Sequence, residues 1–212
     1  FGIRVADAAA YVAGHSLGEY SALAAAGTLN LSDTAKLLKL RGEAMQRAVP
    51  VGIGAMAAIM GAEFAVIENI AAEAAGDEVC TAANDNADGQ VVISGHKGAV
   101  ERAMEIARER GIKRAISLPV SAPFHCPLMQ PAADEMAEAL AGATFNTPSV
   151  PVITNVSADA ISDPDVLRQQ LVEQITGRVR WRESVLRMGE LGVTDLTELG
   201  TGKVLGGLVR RI

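Results

Sequence analysis

A serine between two glycines, Gly14-His15-Ser16-Leu17-Gly18, follows the short apolar run Tyr11-Val12-Ala13 and leads into a small-residue stretch closed by Gly27. Gly-x-Ser-x-Gly is the spacing of a nucleophile elbow. A tight strand-to-helix turn lifts the serine hydroxyl above a sheet, and glycine at either flank is expected to avoid a clash between a Cβ and the neighbouring backbone. The helix behind the turn aims its free N–H groups and positive dipole end at an oxyanion formed on Ser16, with the Leu17 N–H as one donor. The same five residues can also form a plain turn, so the chemistry depends on what else reaches Ser16.

A serine hydroxyl is a poor nucleophile at neutral pH and needs a base within hydrogen-bond reach, most often histidine. The chain has three histidines. His15 adjoins Ser16, and successive residues on a sharp turn project apart, so it reads as a brace for the elbow. His96, in Ser-Gly-His-Lys-Gly, reads as a surface turn residue. His125 lies in the proline-bounded turn Ser121-Ala122-Pro123-Phe124-His125 and is the candidate base. Arg41, in Leu-Lys-Leu-Arg-Gly-Glu-Ala-Met, either pairs with a carboxylate such as Glu43 or offers a planar fork to a substrate carboxylate.

These residues need a scaffold, and the apolar periodicity outlines one. Ser32-Asp33 reads as the cap of a helix running to Ala48. Next come a strand over 54–60, a helix over 63–75, strands over 79–84 and 90–94, a helix over 99–110 and a strand over 114–120. That β-α-β-β-α-β order is the split βαβ arrangement of a ferredoxin-like module, here of about seventy residues. A helix over 131–141, a strand over 150–155, helices over 164–175 and 181–191, a strand over 194–199 and a last helix to residue 212 follow. Strands alternating with helices imply a parallel α/β sheet interrupted by the module. The expected division is a core of 1–50 and 121–212 with an inserted subdomain of 51–120.

With 212 residues, 49% of them hydrophobic, the chain can bury a sizeable core. It has no apolar run of the ~18 residues a membrane span needs, so a soluble cytoplasmic protein is the expectation. Cys80 and Cys126 stand far apart without metal-ligand spacing, which argues against a disulfide framework or a zinc site. A net charge of -6 argues against nucleic acid as a partner. Arg102, Arg108, Arg110, Lys113 and Arg114 nevertheless crowd together, either as solvated surface or as a docking place for an anionic partner. Phe1 stands only about ten residues before the elbow, too few for a parallel sheet on that side, so the expectation is a piece of a longer polypeptide.

Six stretches together resemble the malonyl-CoA:acyl-carrier-protein transacylase family. They are Gly-His-Ser-Leu-Gly-Glu-Tyr-Ser-Ala-Leu at the elbow, Leu-Arg-Gly-Glu-Ala-Met-Gln at 40–46, Gly-Gln-Val-Val-Ile-Ser-Gly at 89–95, Pro-Val-Ser-Ala-Pro-Phe-His-Cys-Pro-Leu-Met at 119–129, Gln174 with Val179-Arg180-Trp181, and Glu-Leu-Gly-Thr-Gly-Lys-Val-Leu at 198–205. The resemblance implies a hydrolase-like core carrying a ferredoxin-like insertion. It implies that Ser16 accepts malonyl from malonyl-CoA as an ester and passes it to the phosphopantetheine thiol of acyl carrier protein in fatty-acid synthesis. It further implies His125 as base and then acid, held by the main-chain carbonyl of Gln174, and Arg41 as a clamp for the malonyl carboxylate with Met45 close by. Phe124 resembles the pattern of malonyl-selective acyltransferases, and Arg108, Arg110, Lys113 and Arg114 resemble the carrier-docking surface. No metal or bound organic cofactor is implied, since coenzyme A enters with the substrate. Family members begin upstream with a Gly-Gln-Gly-Ser-Gln-like loop whose glutamine supplies a second oxyanion N–H, and these residues contain no such loop. The rival expectations are a serine esterase or thioesterase, which shares the elbow, and a non-catalytic carrier-binding remnant. No histidine follows residue 125, and an esterase has no evident use for Arg41.

Overall fold

Alternating apolar strands and small-residue helices build two sheets with separate cores. The computed structural model describes residues 4–212. After a single turn α1 (Val5–Ala8), strand β1 (Val12–Ala13) runs into helices α2 (Leu17–Ala25) and α3 (Leu31–Ala48). The next segment contains β2 (Gly54–Met60), α4 (Phe64–Ala75), β3 (Cys80–Ala87), β4 (Gln90–His96), α5 (Lys97–Glu109) and β5 (Arg114–Ser117). A 3-10 turn at Pro127–Met129 leads to α6 (Gln130–Ala141), β6 (Val152–Ile153), β7 (Ala160–Ile161), α7 (Pro164–Thr176), α8 (Trp181–Glu190) and α9 (Val204–Val209).

In the first sheet β1 pairs in parallel with β6, Val12 opposite Val152 and Ala13 opposite Ile153. Strand β7 joins β6 antiparallel. Tyr20, Leu23, Met129, Met136, Leu140 and Leu167 fill the core beside this sheet. Four other strands form an antiparallel sheet in the order β3-β4-β2-β5. This is the ferredoxin-like order, and α4 and α5 close one face over Ile59, Ile67, Ile70 and Ile93. The β3–β4 hairpin turns at Asp88-Gly89, where Gly89 has a φ of 64°, a region that favours glycine.

The other face of this sheet, with Met56, Ala58, Ala83 and Val92, packs on Leu118 and Phe124. Phe124 also packs on the first core, so its ring joins the two units. Their edges are laced by backbone bonds, Asp85 N–H to Val179 O at 2.9 Å and Val179 N–H to Ala83 O at 2.8 Å. Arg182 of α8 adds an ion pair to the buried Asp85 carboxylate at 2.8 Å. The elbow and β3 are thereby held in a fixed relation.

Several elements differ from the sequence expectations. The cap of α3 is Asn30, whose side-chain oxygen accepts from the Asp33 N–H at 2.8 Å, because an amide two residues upstream satisfies the helix end that Ser32-Asp33 was expected to cap. Residues 194–199 form no strand: they are largely exposed, and among the described residues no strand lies alongside to take their backbone groups. Strand β5 stops at Ser117, two residues before Pro119, whose missing N–H cannot extend a ladder. His96 ends β4 rather than occupying a surface turn, and its Nδ1 accepts the Val79 N–H at 2.9 Å.

Candidate active site

Strand β1 delivers the chain to Gly14, and Ser16 then adopts φ 52° and ψ -109° immediately before α2. Such a φ is strained for a residue with a side chain and is sustained by the surrounding bonds. A Cβ built on Gly14 would overlap the Gly18 carbonyl, so the close approach expected of the elbow exists there. At Gly18 nothing lies within 4 Å of an added Cβ, so the expected clash at that flank is absent: position 18 is the second residue of α2 and faces open space. Gly14→Ala is therefore expected to cost about 1–3 kcal/mol or more through overpacking, whereas Gly18→Ala is neutral or gains up to about 1 kcal/mol of helix propensity. Urea unfolding of the two variants checks this.

Ser16 Oγ stands 2.7 Å from His125 Nε2. His125 Nδ1 stands 2.8 Å from the Gln174 carbonyl oxygen, which can only accept. The ring proton therefore sits on Nδ1, and Nε2 is left as the acceptor for the serine hydroxyl. A carbonyl takes the place that a carboxylate holds in a Ser-His-Asp triad. Burial, then the Arg41 cation, push the His125 pKa down to about 3, so the imidazole is neutral at neutral pH.

Arg41 is buried on α3, with Nη2 at 3.1 Å from Ser16 Oγ and 3.1 Å from Gln174 Oε1. It does not pair with Glu43, the simple alternative open in the sequence; Glu43 lies 4.0 Å from Lys39. Burial lowers the Arg41 pKa, and the nearby Tyr20 and Glu19 raise it. A buried guanidinium beside a nucleophile has lost its water and gains most from an incoming anion.

Two residues that sequence reasoning missed hold this group together. Asn155 accepts the Ser16 N–H on Oδ1 at 2.6 Å and donates from Nδ2 to the Gly14 carbonyl at 2.7 Å, gripping the elbow on both sides of its tip. Glu19, fully buried on α2, accepts the Asn155 N–H and a Gln174 Nε2 hydrogen, each at 2.9 Å. Burial raises the Glu19 pKa to about 7 against the opposing pull of those two donors and Arg41. An acidic residue in the first turn of α2 was a visible signal for Glu19; Asn155, a polar residue closing an apolar strand, gave none.

The remaining expected residues fall as follows. Leu17 is the first residue of α2, so its N–H has no intrahelical carbonyl to bond. His15 braces the elbow, with Nε2 at 2.8 Å from Asn86 Oδ1 on β3 and its ring tilted against Trp181. Met45 is buried in the core one helical turn beyond Arg41. Arg108, Lys113 and Arg114 are exposed, Arg110 pairs with Glu73, and Arg102 is spent on the Ala74 carbonyl and Glu78. His125 also borders a cleft of about 340 Å³ walled by α4, β3 and residues 176–178; Ser16 and Arg41 do not line it, so it lies behind the base. Among the described residues no cluster of His, Cys, Asp or Glu is placed to hold a metal, and no helix is long and apolar enough to cross a membrane.

The geometry can form an ester on Ser16, with a carbonyl-oriented imidazole as base and a buried cation to select the acyl group. Residues 2–197 match the family described as acyl transferase domain. The malonyl CoA-acyl carrier protein transacylase of Escherichia coli (strain K12) is 51% identical over 205 residues, 97% of this chain and 66% of that protein. The chain thus spans just under two thirds of the length of this relative. The crystal structure of acyl-carrier-protein-S-malonyltransferase from Bartonella henselae superposes with a TM-score of 0.96 at 54% identity, over 99% of this chain and 67% of that one. A structure of a type II PKS acyl-carrier protein in complex with its malonyl-transacylase matches with a TM-score of 0.94 at 45% identity, over 96% of this chain and 66% of that one.

Proposed function

Because the chain belongs to the acyl transferase domain family, we propose that it takes a malonyl group from malonyl-CoA onto Ser16 and passes it to the phosphopantetheine thiol of an acyl carrier protein. The observation that carries this reading is the buried Arg41 cation 3.1 Å from the same Ser16 Oγ that pairs with His125. A nucleophile meant for neutral acyl groups has no use for a desolvated guanidinium at its oxygen. A nucleophile meant for malonyl does, because the free carboxylate of the ester must be neutralised inside the protein.

In the first half-reaction His125 Nε2 takes the Ser16 proton while Oγ bonds to the thioester carbonyl carbon. The resulting oxyanion faces the Leu17 N–H. Collapse of the tetrahedral species breaks the carbon–sulfur bond, and the departing coenzyme A sulfur receives the proton from Nε2. In the second half the carrier thiol gives its proton to Nε2 and attacks the ester carbonyl, and Ser16 Oγ leaves with that proton. The Arg41 cation holds down the basicity of His125. A malonyl carboxylate bound to Arg41 cancels part of that field, so the base strengthens when a charged acyl group is seated.

The reading assigns Met45, one helical turn beyond Arg41, and Phe124, next to His125 in the chain, to the acyl end, and Gln174 to holding His125 through its carbonyl. Arg108, Lys113 and Arg114, with Arg110 beside them, offer positive charge to an acidic carrier. The same reading divides the chain into a core of 1–50 and 121–212 and an inserted subdomain of 51–120. It calls for no metal or bound organic cofactor, because coenzyme A arrives with the substrate. The free thiols of Cys80 and Cys126 suit a reducing compartment, which supports a cytoplasmic place in fatty-acid synthesis.

Intact-mass analysis after incubation with malonyl-CoA tests the reading. One malonyl adduct is expected, carried on the peptide containing Ser16 and missing from Ser16→Ala. No adduct at all would leave only a carrier-binding role, and a transient adduct releasing free malonate would make the protein a hydrolase.

A further inference from the structure

Glu19 is fully buried one turn beyond Ser16, and no step of the transfer chemistry uses it. Its two oxygens are treated very differently. Oε2 accepts the Asn155 N–H and a Gln174 Nε2 hydrogen at 2.9 Å each, while Oε1 is buried without a partner among the described residues. A carboxylate can only accept, so it obliges the Gln174 amide to turn its NH2 end inward. That same NH2 also donates to the Ser16 carbonyl at 3.1 Å. The oxygen end of the amide is thereby presented to Arg41, whose Nη2 donates to it at 3.1 Å. Among the described residues the guanidinium donates to two atoms, Gln174 Oε1 and Ser16 Oγ. Reversing the amide would set donor against donor and leave Ser16 Oγ alone to hold the cation.

We propose that Glu19 is a specificity-positioning residue: its carboxylate orients the Gln174 amide, and the amide aims Arg41 at the acyl group carried by Ser16. The inference rests on the malonyl-transfer reading and adds the element that sets its acyl choice. Burial raises the Glu19 pKa to about 7, with Arg41 of α3 opposing the shift, so the carboxylate is ionised at pH 8.

Acylation from malonyl-CoA and acetyl-CoA at pH 8, compared as kcat/KM, tests it. Glu19→Met, which removes the acceptor, is expected to lower the malonyl-to-acetyl ratio about tenfold, as one charge-assisted hydrogen bond lost from the clamp would. The loss should be larger for malonyl than for acetyl, because only malonyl uses the Arg41 clamp. Glu19→Gln is expected to restore the ratio, because the Asn155 N–H can only donate and draws the new amide oxygen into the place of Oε2. In an Arg41→Ala background Glu19→Met should leave the ratio where Arg41→Ala alone puts it. Equal losses with both acyl groups, a Glu19→Gln ratio as low as that of Glu19→Met, or a further fall without Arg41 would each overturn the proposal. If Glu19→Met does not fold, Glu19→Asp, which draws the carboxylate back by one methylene, should lower the ratio, and an unchanged ratio would overturn the proposal. Absence of a malonyl adduct on the unmodified protein would instead strike the transfer reading itself.

Discussion

Replacing His125 with alanine is expected to slow acylation of Ser16 by about 10²–10⁴-fold while leaving the protein folded. Among the described residues the imidazole is the only base in contact with Oγ, at 2.7 Å, and Arg41 on the other side can donate but cannot take a proton. His15, the neighbour in sequence, cannot substitute, because Asn86 and Trp181 turn its ring toward β3. Rapid-quench acylation with malonyl-CoA measures the loss, and a near-normal rate would remove His125 from the mechanism. The pH dependence of the unmodified protein follows from the same environment. With the His125 pKa pushed down to about 3, no falling limb is expected near 6.5 as the pH is lowered. Stability responds in the opposite sense at two groups. Unfolded histidine binds its proton at a higher pH than folded His125, so that contribution to stability is lost as pH falls from about 6.5 toward 3. Folded Glu19 binds its proton at about 7 against 4.5 in the unfolded chain, so its contribution grows as pH falls across that window.

Arg41→Ala is expected to cut acylation by malonyl-CoA by about 10- to 100-fold and to spare or improve acylation by acetyl-CoA. The asymmetry follows from charge. The malonyl carboxylate loses the buried cation that touches the nucleophile, whereas an acetyl group gains the space and meets a more basic His125. Lysine at this position restores charge but not the fork, so Arg41→Lys should recover only part of the preference. Parallel kcat/KM measurements with the two thioesters check it; equal loss with both would mean that Arg41 serves the elbow alone.

How much of this was legible in the sequence depends on the range of the interaction. The elbow and the order of the ferredoxin-like module were readable because each rests on local spacing: a glycine pattern in one case, alternating strand and helix periods in the other. His125 is readable by elimination among three histidines, whereas Arg41 reads either as a partner of Glu43 or as a substrate clamp, and only the family resemblance favours the clamp. The Glu19 carboxylate accepts the main-chain N–H of Asn155 across 136 residues of sequence, and no local pattern encodes such a contact. The equivalence expected of Gly14 and Gly18 failed for the same reason, since only the folded elbow shows which flank faces backbone. Residues 194–199 have strand-like composition, but a strand exists only where a neighbour accepts its backbone groups. The shift of the α3 cap to Asn30 is a local matter of which polar side chain reaches the Asp33 N–H.

In the proposed reaction Ser16 carries a charged acyl group for transfer to a thiol. The most direct measurement isolates the malonylated protein, mixes it with an acyl carrier protein bearing its phosphopantetheine arm, and follows both masses through a single turnover. Malonyl is expected to leave the Ser16 peptide and appear on the carrier faster than free malonate is released without carrier. Release of malonate with the carrier mass unchanged would contradict it.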